Sequence, residues 1–146
     1  MTATVQWRRG EAITPSDIRS AEQALSVQFP ADYSAIILQH NGGGRPSRSC
    51  YGGRMFGYLL GIRPGDPRNI HMLMRAWSDR LPTKVIPFAV DPGGNALCFD
   101  FRCDSKEPMV VYFDHEYWEE QTEEERCKLV APSFAAFLGM LEDCGD

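Results

Sequence analysis

The sequence predicts a single α+β domain, a mainly antiparallel sheet flanked by helices, with its core between about residues 13 and 142. Two patterns and one bulk property predict it. Apolar residues recur at helical spacing near both ends of the chain, whereas residues 85–113 alternate with a period of two, interrupted by turn residues. Strands joined by hairpins and bracketed by helices are the α+β arrangement, not the βαβ one. At 146 residues, 43 % hydrophobic and 24 % charged, the chain can bury one core and carries no linker.

The first helix follows Thr14, a capping residue, with Pro15 at the first helical position and Asp17 placed to reach back in a capping box. Ile13 and Ile18 flank the cap at staple spacing, and Ile18, Ala21 and Leu25 form one apolar face. Pro30 breaks the pattern, and a second helix begins at Ala31 with Tyr33, Ile36 and Ile37 on one side. "HNGGG" ends it, since Asn and Gly tolerate the left-handed conformation of a helix stop.

"GGGRPSRSCYGGR" reads as a loop. Its three arginines suggest phosphate contact, but neither the P-loop spacing nor that of a dinucleotide fold is present. "MFGYLLGI" predicts a strand, and "DPRNIHMLMRAWSDRL" a third helix entered through Asp66 and Pro67, with Ile70, Leu73, Met74 and Trp77 as a core stripe. Three strands follow, marked by Ile86, Phe88 and Val90, then Leu97, Phe99 and Phe101, then Val111 and Phe113. Asp91-Pro92-Gly93-Gly94-Asn95 is the turn between the first two, with proline second and a positive-φ glycine third. No helix follows Gly94 to hold a phosphate at its N-terminus. The last helix starts near Ser133 and presents Phe134, Phe137, Leu138 and Leu141. "EEQTEEER" before it reads as a solvated acidic face.

No apolar run approaches the ~20 residues a membrane span requires, and no signal peptide is apparent, so a cytoplasmic protein is expected. Cys50, Cys98, Cys103, Cys127 and Cys144 have neither zinc spacing nor an even count, which predicts reduced thiols. A net charge of −5 disfavours nucleic acid and suits a basic partner.

"FDHEYW" places Asp114, His115 and Glu116 side by side, which raises the question of a metal-dependent hydrolase. In an extended strand His115 diverges from its neighbours, so Asp91 or Asp100 would have to converge from the adjoining hairpin, and the H-E-x-x-H spacing is absent. No cofactor or catalytic set is expected; His40 and His71 lie on helices without a marked nucleophile, and no G-x-S-x-G elbow exists. A surface role has better support. Tyr51, Tyr117 and Trp118 lie in or beside loops, where aromatics often anchor interfaces, and the acids from Glu116 to Glu125 can steer a basic protein.

The ordered pieces resemble the SUKH superfamily, which includes the Smi/Knr cell-wall regulators of fungi and many bacterial immunity proteins. "ITPSDIRSAEQALSVQFPADYSAIILQHNGG" is similar to the family's opening through Thr14, Ile18, Glu22, Leu25, Pro30, Asp32, Tyr33, Leu38, Asn41, Gly42 and Gly43. "VIPFAVDPGGNALCFDF" resembles its hairpin through Ile86, Pro87, Phe88, Gly94, Asn95 and Asp100; "VVYFDHE" and "APSFAAFLGML" resemble its next strand and final helix. Ser26 departs from the pattern, standing where the family usually has the glycine that ends the first helix. The resemblance implies a cytoplasmic, non-catalytic protein-binding module that occludes a cognate toxin such as a nuclease effector, or a regulatory scaffold with an endogenous partner. It transfers no binding residue; the candidates Tyr51, Asp91, Asp114, His115, Glu116 and Trp118 rest on expected exposure.

Overall fold

The computed structural model describes residues 5–103, 107–116 and 122–144. Helix α1 (Pro15–Leu25) opens on the capping box: Thr14 Oγ1 accepts from the Asp17 amide, and the Asp17 carboxylate accepts from the Thr14 amide. Its end is unusual. Ser26 takes the left-handed conformation at φ 57°, so the glycine-type stop is kept without the glycine. The Ser26 and Val27 amides cap the helix carbonyls, and Glu22 Oε2 accepts from the Phe29 amide at 2.8 Å. Those bonds hold a conformation that serine adopts only at a cost.

Helix α2 (Ala31–His40) buries Tyr33 and Ile37. A short ribbon follows, β1 (Cys50–Tyr51) paired with β2 (Arg54–Met55). The main sheet has the order β3 (Tyr58–Leu59), β4 (Val85–Val90), β5 (Ala96–Asp100), β6 (Met109–Phe113) and β7 (Cys127–Ala131), and every pairing is antiparallel. This is an α+β fold. Helix α3 (Ile70–Ala76) precedes β4, the single-turn α4 (Glu123–Arg126) precedes β7, and α5 (Phe134–Met140) closes the order, capped by Ser133.

Alternation along β5 and its neighbours divides the core. Ile86, Phe88, Leu97, Phe99 and Val110 join Tyr33, Ile37, Phe134 and Phe137 in the larger cluster. Tyr33 meets the rings of Phe29, Phe88, Phe99 and Phe134 edge-on, the arrangement ring quadrupoles favour. Ala96, Cys98, Val111 and Phe113 face the other way and are covered by Trp77.

Four expectations need correction. The strand over "MFGYLLGI" shrinks to Tyr58–Leu59, because the chain crosses the end of β4 at Gly57, where any Cβ would collide with the Val90 carbonyl. The third helix starts at Ile70, not at Asp66: Asp66 is drawn into a buried network, and Asn69 Oδ1 caps by accepting from the Met72 amide at 2.8 Å. In the β4–β5 turn the positive φ falls on Gly94, at 90°, one residue later than expected; the Gly94 amide bonds the Asp91 carbonyl, giving a turn followed by a left-handed residue. Finally, the thiols are not all reduced. Cys50 and Cys144 form a disulfide that ties the C-terminal segment to β1 across a separation of 94 residues. Among the described residues no helix is long and apolar enough to cross a membrane.

Candidate functional site

The β4–β5 turn gathers several of the candidates. Asp91 Oδ1 accepts from the Asn95 amide at 2.9 Å, and its Oδ2 accepts from the Tyr112 hydroxyl at 3.0 Å. Asn95 Nδ2 donates to the same hydroxyl at 2.9 Å, while its Oδ1 receives both the His115 amide and His115 Nδ1, the latter at 2.7 Å. That bond sets the Nδ1–H tautomer. The His115 ring stacks on Trp77, centroids 5.4 Å apart and planes 15° apart, and Arg80 Nη1 donates to its carbonyl. Asn95 thus links Tyr112 to a histidine that stacks on the Trp77 of the smaller cluster. Burial raises the Tyr112 pKa, with the hydrogen bond and charge of Asp91 adding to it.

Tyr51 is not the exposed anchor expected of it. It is 2 % exposed, packed edge-on against Phe137, and its hydroxyl is buried with no hydrogen-bond partner among the described residues. The β1–β2 ribbon explains this, since pairing with Arg54 turns Tyr51 into the core. Its pKa is raised, first by burial and then by the charges of Asp91 and Tyr112. Arg54 covers the same spot, its guanidinium carbon 3.7 Å from the Tyr112 ring centroid.

Asp114 and Glu116 follow the end of β6. Asp114 Oδ1 accepts from the Glu116 amide at 3.0 Å, Asp114 is half-buried and Glu116 is exposed. His115 turns away toward Asn95. Among the described residues no three His, Cys, Asp or Glu side chains gather as a metal site would require. Trp118 lies outside the described residues, as do Tyr117, Glu119 and Glu120. Cys98 is a poor nucleophile: burial, then Cys127 and Asp100, push its thiol up.

A second constellation was not visible in the sequence. Asn41, 5 % exposed, donates from Nδ2 to Asp66 Oδ2 at 2.8 Å and accepts the Ile62 amide on Oδ1 at 2.9 Å. Asp66 also accepts from the Arg63 amide and guanidinium, and Arg63 reaches Glu11 at 2.9 Å. Burial pushes the Asp66 pKa up, but the bonds from Asn41 and Arg63 outweigh it and hold the carboxyl below 3.8. Gly61 packs so closely on Asp66 that no side chain fits there. A cleft of about 200 Å³ opens beside this network, lined among others by Gly10, Gly42, Tyr58 and Arg68. The sequence singles out Asn41 as part of a helix stop and Asp66 as a helix entry, backbone roles that do not point to a contact between their side chains.

The model of the SMI1 / KNR4 family (SUKH-1) matches residues 12–140, so the chain belongs to this family. A search of curated proteins found no match.

Proposed function

We propose that this SUKH-1 chain is a non-catalytic, cytoplasmic protein-binding module, an immunity protein that neutralises a cognate bacterial toxin such as a nuclease effector. The observation that carries the reading is the family match over residues 12–140, joined to a turn region whose polar atoms bond one another. We assign partner contact to the end of the sheet, where Asp91 and His115 set its shape and Asp114 and Glu116 supply negative charge; we keep Trp118, outside the described residues, as the proposed aromatic anchor, and Tyr51 contributes from the core. The hydrolase alternative would need Asp114, His115 and Glu116 to share an ion, and among the described residues no three His, Cys, Asp or Glu side chains gather in that way.

The test is co-expression with the product of a neighbouring toxin-like reading frame. Survival with the native chain, and death with an Asp114→Lys/Glu116→Lys variant that still folds, is the expected result. Survival that does not depend on this chain, with no complex on co-purification, would overturn the reading and favour an endogenous scaffold role.

A further inference from the structure

The chain is electrically polarised. Its first 68 residues hold eight arginines against five acids, whereas residues 69–146 hold seven bases against fifteen acids. Folding concentrates the positive half. The Gly44 amide donates to the Arg8 carbonyl, setting the Arg8–Arg9 segment beside Gly44, the residue before Arg45, whose Nη1 donates to Met55 Sδ; the Leu59 amide donates to the Gly43 carbonyl, bringing the strand that holds Tyr58 alongside. Arg68 completes the group by lying over the Tyr58 ring, 4.0 Å from its centroid. All four arginines are exposed, and no carboxylate lies within salt-bridge distance of any of them among the described residues. The nearby acids are already engaged, Glu11 and Asp66 both by Arg63.

A second, independent observation concerns the backbone. Arg9 sits in the left-handed region at φ 58°, where an arginine is strained and glycine or asparagine would not be. His40 Nδ1 bonds the Arg9 carbonyl at 2.9 Å, and Gly10 packs on the His40 backbone too tightly for any side chain. The fold thus holds an arginine in a conformation that its own preferences oppose, with its side chain against Gly44 and next in the chain to Gly10, which lines the cleft that Arg68 also lines. Strain of this kind is found at ligand clamps and functional sites when the surroundings hold it in place.

We infer that Arg8, Arg9, Arg45 and Arg68 form a docking face for an acid-rich segment of a protein partner. Charge complementarity selects the occupant: a short acidic peptide meets only the arginine face, whereas a long nucleic acid would also run over the acidic remainder of the chain. The inference rests on the protein-binding reading for the class of occupant and extends it to a second face.

The test uses the full chain and a fluorescein-labelled twelve-residue peptide of alternating Glu and Tyr, with a single-stranded DNA of equal charge as competitor class, read by fluorescence anisotropy at low and physiological salt. The expected result is salt-sensitive peptide binding, weakened about tenfold or more in Arg8→Glu/Arg45→Glu/Arg68→Glu and unchanged in the control Arg75→Glu. Arg9→Gly separates binding from folding: relief of the strained φ should leave Tm equal or higher while the peptide affinity falls. No peptide binding by the native chain, an equal loss in the Arg75 control, unchanged affinity in Arg9→Gly, or tighter binding of the DNA would each overturn the inference. A toxin complex that survives the triple charge reversal would overturn it too, while leaving the immunity reading intact.

Discussion

Asn41→Ala is the sharpest test of what holds the cleft together. The substitution removes a donor 2.8 Å from Asp66 Oδ2 and an acceptor 2.9 Å from the Ile62 amide, at a residue only 5 % exposed on the wall of the cleft. The Ile62 amide is left unpaired, which costs about 1–3 kcal/mol, while Asp66 Oδ2 keeps the Arg63 amide and loses one bond worth about 1 kcal/mol, so the substitution should cost about 2–4 kcal/mol. A domain of this length has roughly 5–15 kcal/mol in total. At about 2–4 °C per kcal/mol, Tm should drop by roughly 5–15 °C. Urea unfolding followed by tryptophan fluorescence reads the loss as a lower midpoint at unchanged slope. The effect should be local in origin: Asn41→Asp, which sets a second carboxylate against Asp66, should destabilise most at neutral pH and less as the pH falls and one of the pair takes up a proton. A loss below about 1 kcal/mol for Asn41→Ala would refute the view that this network is a buried, fully satisfied brace.

Other consequences follow from the same structure. Reducing the Cys50–Cys144 bridge, or replacing Cys144 with serine, should cost about 2–5 kcal/mol because the bond closes a long loop in the unfolded chain; parallel melts with and without reductant measure it, and the outcome bears on whether the bridge matters in a reducing cytoplasm. Asp17, Asp66 and Asp100 all have folded pKa values held below 3.8: Asp17 chiefly by the Thr14 amide, the other two by hydrogen bonds from Asn41, Arg63 and Arg102 that override burial. Depressed carboxyl pKa values stabilise above the unfolded value and lose that contribution on acidification, so stability should hold through the neutral range and fall as the pH drops below about 3.8; a pH series of urea midpoints that is flat there would contradict it. Gly94→Ala should destabilise by about 1–2 kcal/mol, since φ is 90° and the new Cβ would come within 3.4 Å of His115 Cε1; a thermal melt suffices.

Much of the fold was legible because its signals are local. Thr14 with Asp17, Ser133 ahead of Phe134, and the alternation through Ile86, Phe88, Leu97 and Phe99 each act within a few residues. What escaped depends on partners far along the chain. Strand β7 follows an acidic run and holds Lys128 and an exposed Leu129, so its pattern is weak, and its pairing with β6 defines it. Cys50 and Cys144 meet only because the Glu142 and Cys50 backbones bond each other, which no count of cysteines reveals. Tyr51 was read as exposed because its glycine-rich setting resembles a loop; two ribbon pairs bury it. Asn41 and Asp66 were read as a helix stop and a helix start, positions for which their types are suited, and their side chains then turned out to hold each other. Of the candidate site, the Asp91–Asn95 turn was legible, but its links to Tyr112, His115 and Trp77 were not, since they need the sheet register and the placement of α3.

The central claim is that the end of the sheet beyond Asp91 and Asp114 docks a protein and performs no reaction of its own. Isothermal titration of the purified chain against the product of the adjacent toxin-like reading frame tests it most directly. The account predicts a saturable one-to-one complex that weakens at least tenfold in Asp114→Lys/Glu116→Lys. Absence of binding by the native chain, or turnover of the added protein in place of a stable complex, would contradict it.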